Sequence, residues 1–336
     1  MKLPLERYAQ KLWYDRERPA AWLKPFAGLF GRAVALRRLA YSQGWKTADR
    51  LPVPVVVVGN LTVGGVGKTP LVIWLAEFLA RVGYKPGVIS RGYGGLPLNE
   101  PCRVDADSLP RYFGDEPVLI ARRTGVPVYV FRQRAEAGRR LLAETDCDLL
   151  IADDGLQHYA LARDVEIAVV DGERRFGNGA LLPAGPLREP AERLDEADLV
   201  VARGRPQAGE YEMKLAGGEA VNLLDPTLRK LLTEFVGVPV HAVAGIGHPG
   251  RFFDDLRRAG LTVEGHVYPD HHAYEAADID FGDESPVLMT EKDAVKCPGL
   301  AGEHHWVVPV SAELPAEFGE KLLQLLQVKR DGRKTA

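Results

Sequence analysis

The chain has 336 residues, 46% of them hydrophobic and 26% charged, with a formal net charge of -3. That balance suits a soluble α/β protein with ample core, suggests two domains, and excludes a global pull toward nucleic acid. No apolar run approaches the roughly 20 residues needed to span a bilayer, the charged N-terminus lacks a signal-peptide core, and three scattered cysteines (Cys102, Cys147, Cys297) fit a reducing compartment rather than a disulfide or zinc framework.

Residues 1–50 are unlike the rest. Eleven Lys and Arg face four Asp and Glu there, giving +7 on a chain that totals -3. Trp22, Phe26, Leu29, Phe30, Ala33 and Leu36 recur at helical spacing. Such a stripe beside basic residues fits a helix lying in a membrane interface, and equally a helix packed on the core with a solvated basic face.

Apolar β-branched runs alternate with helical patterns from residue 53 onward. VPVVVVG (53–59) predicts a buried strand and PLVIWLAEFLARVG (70–83) a helix. PGVIS (86–90), VPVYVF (126–131), CDLLIADDG (147–155), EIAVVDG (166–172) and DLVVARG (198–204) predict further strands. The runs are continuous rather than alternating, as in strands covered on both faces. The expected class is therefore α/β, a phosphate-loop (P-loop) nucleotide-binding core over residues 51–208 with a mostly parallel sheet flanked by helices. EYEMKLAGGEAVNLL (210–224), with its central Gly-Gly, predicts a β-hairpin and an interdomain linker over 209–226. A second, smaller α/β domain is expected over 227–336. It begins with the strand–loop–helix unit 238–260, continues through 286–293 and 304–310, and ends in a helix over 314–330 and a frayed basic tail, RDGRKTA.

A P-loop needs a strand, a glycine-rich turn and a helix N-terminus in that order. GNLTVGGVGKTP (59–70) supplies them. Across Thr62, Val63, Gly64, Gly65, Val66 and Gly67, glycines let backbone N–H groups converge on phosphate oxygens, and the positive helix end favours the anion. Lys68 is placed for the β- and γ-phosphates of ATP and Thr69 for Mg2+. Thr62 stands where a strictly written loop has glycine, at the exit from the strand. LLIADDG (149–155) supplies Asp153 and Asp154, one of which is expected on the metal.

A hydroxyl acceptor for the phosphoryl group requires a base. Asp115 in FGDEP is one candidate, and reads equally as an acidic residue at a helix N-terminus. Arg91 in SRGYGG is placed to stabilise phosphate charge. PDHHAY (269–274) clusters Asp270, His271, His272 and Tyr274, suited to proton chemistry. LLPAGPLREP (181–190) offers Arg188 and Glu189 in a rigid loop.

In order and spacing, GNLTVGGVGKTP, SRGYGG, GDEP, DDGLQH, LLPAGPLREP, PDHHAY and TEKDAVK resemble the tetraacyldisaccharide 4'-kinase (lipid A 4'-kinase) family from about residue 8 to residue 325. Thr62 belongs to that family's pattern. The resemblance implies transfer of the γ-phosphate of ATP to the 4'-hydroxyl of a tetraacylated disaccharide 1-phosphate, giving lipid IVA. It implies a peripheral enzyme on the cytoplasmic face of the bacterial inner membrane, with no nucleic acid and no obligate protein partner. Carried over by position, Lys68 and Thr69 match the P-loop Lys and metal Thr, Asp153 and Asp154 the metal-side pair, and Asp115 the catalytic Asp. His271 is assigned as the His paired with Asp115, with His272 as the alternative. Arg91, Gln157, His158 and Glu189 match other active-site positions. The resemblance also implies that the basic N-terminal helices contact the membrane. The rival reading is a membrane-associated regulatory ATPase with the loop KGGVGKT, whose first Lys is here Val63. A GTP-binding switch is disfavoured because Asp293 directly follows Lys292 in TEKD.

Overall fold

In a computed structural model, residues 2–15 and 18–334 are described. Helix α1 (Lys2–Tyr14), a 3-10 turn (Ala21–Leu23) and α2 (Lys24–Ser42) precede the first sheet. The chain then forms β1 (Val55–Gly59), α3 (Lys68–Arg81), β2 (Pro86–Ser90), β3 (Cys102–Val104), α4 (Pro110–Phe113) and α5 (Asp115–Thr124). There follow β4 (Val128–Val130), α6 (Arg134–Glu144), β5 (Leu149–Ala152), β6 (Val165–Asp171), β7 (Leu199–Arg203) and β8 (Tyr211–Ala216).

The second sheet takes β9 (Glu219–Asn222), β10 (Arg229–Leu231), β11 (Pro239–Ala244), α7 (Pro249–Arg258) and β12 (Thr262–Val267). Helix α8 (Ala276–Ile279), β13 (Val287–Thr290), α9 (Glu291–Ala294) and β14 (His305–Val308) complete it. The last elements are β15 (Ser311–Glu313) and α10 (Ala316–Lys334).

The first sheet has the order β15-β8-β7-β6-β1-β5-β2-β4-β3, parallel except at its two ends, β3 and β15. β1, β2, β4, β5 and β6 are buried at every position, which is why their sequences are continuous rather than alternating. Parallel strands put all their C-terminal ends on one edge. The P-loop after β1, Asp153 after β5, Arg91 after β2 and Arg203 at the end of β7 therefore share that edge.

Two expectations about chain organisation are corrected. Residues 210–224 do not form a hairpin. β8 pairs with β7 and β15 in the first sheet, whereas β9 pairs with β10 and β14 in the second. Gly217 and Gly218 carry the chain across, and a Cβ on Gly217 would lie 2.9 Å from the carbonyl oxygen of Pro309, where the chain returns. Nor does everything after residue 227 belong to the second lobe. β15 and α10 rejoin the first sheet, where Phe318, Leu322 and Leu326 are buried in its core beside Trp74 and Phe78. Helix α10 also runs to Lys334, through most of the tail expected to be frayed; residues 335 and 336 lie outside the described residues.

The N-terminal helices attach through Leu12, Ala20, Leu23 and Ala27, which pack around Ala184 of the 181–190 loop. The predicted apolar stripe is not what they bury. Trp22, Phe26, Leu29 and Leu36 are each about 60% exposed or more, at 63%, 59%, 67% and 61%.

Because α10 closes one face of the first sheet, Phe318→Ala should destabilise the protein by about 3–5 kcal/mol, measured by urea unfolding. A loss under about 1 kcal/mol would show that α10 is not part of the cooperative core.

Candidate functional site

The P-loop is braced by the 181–190 loop. Val63 N donates to Pro186 O at 2.9 Å, Arg188 N donates to Leu61 O at 2.7 Å, and Thr62 forms an antiparallel bridge with Leu187. Thr62 is thus held by an isolated bridge just beyond β1, with its side chain buried, and needs no glycine conformation. The glycine requirement falls instead on Gly64, with φ +113°, and on Gly67, with φ +97° directly before α3, where a Cβ would meet Met213 at 2.9 Å.

Lys68 and Thr69 open α3 and are both buried. Lys68 Nζ donates to Asn60 Oδ1 at 3.0 Å and lies 3.3 Å from Asp154 Oδ1. Arg188 Nη1 binds both Asp154 oxygens, at 3.0 and 3.1 Å. Asp154 itself is left-handed, at φ +46°, a conformation that costs a non-glycine residue energy and concentrates at functional sites. Burial would raise its pKa, but Lys68 and Arg188 outweigh burial and hold it far below the carboxylate range.

Asp153 differs. It is fully buried, takes one hydrogen bond from Ser90 Oγ at 3.3 Å, and its Oδ1 has no partner. Burial, Glu116 and Asp154 push it up to about 7. A carboxylate so destabilised as an anion is one that a cation at the β–γ phosphates would relieve, so the donor set of Asp153 and Thr69 fits a hard divalent ion. Asp154, already held by two side-chain cations, reads as the residue that orients Lys68.

Across the cleft, Asp115 begins α5 and is buried. Its Oδ1 is 3.0 Å from His271 Nδ1, and its Oδ2 is buried without a partner. His271 comes from the second lobe with φ +60°. His272 does not reach Asp115; its Nε2 meets Asp278 at 2.9 Å. Lys292 of α9 pairs with Glu116, next to Asp115. Burial would raise the Asp115 pKa, but the His271 hydrogen bond and the positive charges of Lys292 and His271 outweigh it and leave it below its usual value. The same hydrogen bond raises His271 against burial.

The P-loop group and, from across the cleft, Glu116, His271 and Lys292 line one cavity of about 1390 Å³, while Asp115 itself is buried and is not part of the lining. Arg91 lines it, as do Gln157, His158, Glu189, Glu116, His271 and Lys292. Gln157 and Tyr159 both donate to Glu189, which is buried, and Gln157 also donates to Asn60 O at 3.1 Å. These contacts make Glu189 and Gln157 braces of the P-loop base. His158 is pushed down to about 4 by burial and by the neighbouring Arg134 and Arg163, so it is neutral at pH 7. The cavity extends to Trp13, Phe30, Val34 and Arg37 of the N-terminal helices.

Residues missed in the sequence are those whose role is a long-range contact. Asn60 follows β1 directly, so its place beside Lys68 was within reach of the motif. Arg134, whose Nη2 donates to Asp153 O at 3.1 Å and Asp154 O at 2.8 Å, carries no local signal, nor does the Lys292–Glu116 pair.

The Asp115–His271 contact makes a signed pH prediction. The raised His271 pKa contributes stability that is fully present below about 6.5 and is lost as pH rises through its folded value. The lowered Asp115 pKa contributes stability present above about 3.9 and lost as pH falls through its folded value. Wild type should therefore exceed His271→Gln in unfolding free energy most between pH ~4 and ~6.5, with the gap narrowing at higher pH. A gap constant from pH 5 to 9 would mean that the pair is not ionic.

Comparison with known proteins places this geometry. The family model for tetraacyldisaccharide-1-P 4'-kinase matches residues 19–327. The tetraacyldisaccharide 4'-kinase of Nitrosococcus oceani is 54% identical over 318 residues, covering 94% of both chains. That of Methylobacillus flagellatus is 52% identical over 322 residues, covering 95% of this chain and 96% of the relative. The crystal structure of the Aquifex aeolicus "apo" form LpxK in complex with ATP superposes with a TM-score of 0.75 at 27% identity, over 91% of this chain and 99% of that one. This chain belongs to the tetraacyldisaccharide 4'-kinase family.

Proposed function

We propose that the protein transfers the γ-phosphate of ATP to the 4'-hydroxyl of tetraacyldisaccharide 1-phosphate, with Asp115 as the base that takes the hydroxyl proton. The observation that carries this reading is Asp115 itself. It is a buried carboxylate with one oxygen fixed by His271 and the other without a partner, and its neighbours Glu116 and His271 line the same cavity as the P-loop. Water-activating NTPases need no such residue from one lobe locked by a histidine of another.

The P-loop amides and Lys68 bind the β- and γ-phosphates, while Arg188 and Asp154 keep Lys68 in place. Mg2+, held by Thr69 and Asp153, would neutralise charge on the transferring phosphoryl group. Asp115 accepts the sugar proton on Oδ2, and His271 keeps the carboxylate oriented through Oδ1. A base held below the ordinary carboxylate value is adequate here. In a loose phosphoryl-transfer transition state the nucleophile loses its proton late, so positioning outweighs base strength. The second lobe also shields the phosphates: a Cβ on Gly247 would come within 3.0 Å of Gly65 N.

The acyl chains are proposed to remain at a membrane surface. No described helix is long and apolar enough to cross a membrane. The exposed stripe Trp22, Phe26, Leu29 and Leu36, with Lys24, Arg32 and Arg37 also exposed on α2 and its approach, has the composition of an interfacial helix. Phe30 and Val34 on α2 line the same cavity as the P-loop, so a headgroup in the site and chains at α2 are within one molecule's reach.

Two experiments test this reading. With γ-labelled ATP, Mg2+ and detergent-dispersed tetraacyldisaccharide 1-phosphate, label should enter the lipid. Asp115→Ala should cut that transfer about 10²–10⁴-fold with ATP binding intact. Near-normal transfer by the variant removes Asp115 from the mechanism, and label found only in free phosphate points to a regulatory ATPase. Separately, combined Trp22→Glu, Phe26→Glu and Leu29→Glu should lower co-sedimentation with anionic phospholipid vesicles at least tenfold, with little change in melting temperature. Unchanged sedimentation would place membrane contact elsewhere.

A further inference from the structure

The second lobe carries a cluster of side chains that phosphoryl transfer does not use. His241 on β11 stands in register with Glu264 on the neighbouring strand β12, and Val243 with His266. Residues two apart on a strand share a face, so His241, Glu264 and His266 project together from one side of the sheet. His241 Nδ1 is 2.9 Å from His266 Nε2 and 3.9 Å from Glu264 Oε2. Phe281 stacks on both imidazoles, with centroids 4.2 and 4.0 Å away. His241 is buried, His266 half-buried and Glu264 exposed, so the cluster opens to solvent on the carboxylate side.

We propose that His241, His266 and Glu264 form a binding site for a d-block divalent cation, of which Zn2+ is the best fit, separate from the nucleotide's metal. The geometry is close to what such an ion requires. Tetrahedral Zn2+ with bonds of about 2.0–2.1 Å holds its ligand atoms about 3.3 Å apart. The two imidazole nitrogens need to separate by a few tenths of an ångström and the exposed Glu264 side chain needs to move in. Solvent completes the fourth position.

A second observation points the same way. His241 Nε2 is 3.3 Å from Asp283 Oδ2. A carboxylate accepts and does not donate, so neutral His241 carries its proton on Nε2 and presents the Nδ1 lone pair to its neighbours. A carboxylate on the far nitrogen is the usual support of a metal-bound histidine, fixing tautomer and ring orientation. His266 donates its Nε2 proton into that lone pair in the metal-free protein. To ligate, it shifts the proton to Nδ1, a change of tautomer that alters no charge.

The ligand chemistry separates this site from the catalytic one. Two imidazoles and one carboxylate favour Zn2+ or Cu2+, whereas Mg2+ prefers oxygen ligands. An ion here would join β12, the outermost strand of its sheet, to β11, and through Asp283 and Phe281 would order the 281–283 turn. Its role would be to clip the edge of the second lobe.

The test is calorimetric titration of the full-length protein with Zn2+ in buffer holding excess Mg2+, with Co2+ absorption as a geometric readout. Wild type should bind one Zn2+ at this site, give the intense 500–700 nm bands of tetrahedral Co2+, and melt at higher temperature with Zn2+ present. His266→Ala and, separately, Glu264→Gln should each weaken this binding at least tenfold, abolish the Zn2+-dependent rise in melting temperature, and leave lipid phosphorylation unchanged. His271→Gln should leave the Zn2+ site intact. Zn2+ binding unaffected by His266→Ala, or lost instead in His271→Gln, overturns the proposal, as does the absence of binding at Zn2+ concentrations up to 100 µM.

Discussion

The site is organised around two consecutive carboxylates that the fold treats unequally. At the end of β5, Asp153 is drawn wholly out of water and Asp154 only partly, and only Asp154 is given cationic partners. Asp154 is held by Lys68 and Arg188; Asp153 has a single serine hydroxyl and a free oxygen. Isolated buried charge is costly, so a carboxylate buried without cationic partners favours its protonated form until a bound cation compensates the charge. The arrangement around it follows from this. The P-loop lysine cannot wander because Asn60 and Asp154 fix it, and Arg188 is brought in by a loop that also pairs with the strand leading into the P-loop.

A second charge relation joins the two lobes. Asp115 and Glu116 open α5 in the first lobe; His271 and Lys292, from the second, supply the positive groups they face. Arg251 adds another such contact, donating to Asp171 at 2.8 Å and Glu173 at 2.7 Å. Asp115, His271 and Lys292 therefore exist as a unit only when the lobes meet. In the structure they do meet, with the turn containing Gly247 seated against the P-loop glycines.

Much of this was legible in the sequence because it is written locally. Fully buried parallel strands leave continuous apolar runs, and a P-loop is one contiguous segment, so β1, β2, β5, β6, β7 and the residues at their ends could be read off directly. The failures have one cause. A Gly-Gly between two strand-like segments looks the same whether the strands pair with each other or with remote partners, and β8 and β9 each chose a remote partner. The apolar face of α10 announces burial but not against which sheet. Arg134 and Lys292 act across 19 or more residues, where no periodicity records the contact. On α2 the stripe was visible, but only the structure shows that Leu23 and Ala27 do the packing and leave Trp22 and Phe26 in the open.

The ladders β8·β15 and β9·β14 lie end to end, and the chain passes from one sheet to the other twice, at Gly217–Gly218 and at Pro309–Val310. The lobe that carries His271 and Lys292 is thus an insertion into a loop of the first lobe, between two strands that are already antiparallel neighbours. Its two ends emerge side by side, so the core sheet is topologically complete without it: a tight turn from β8 to β15 would restore an unbroken chain. A lobe attached by two adjacent strands is also restrained differently from one on a single tether. It can bend across the ribbon, but swivelling about the connection would shear paired strands. Such an attachment confines the approach of His271 to Asp115 to one arc, so little orientational entropy remains to be lost when they engage.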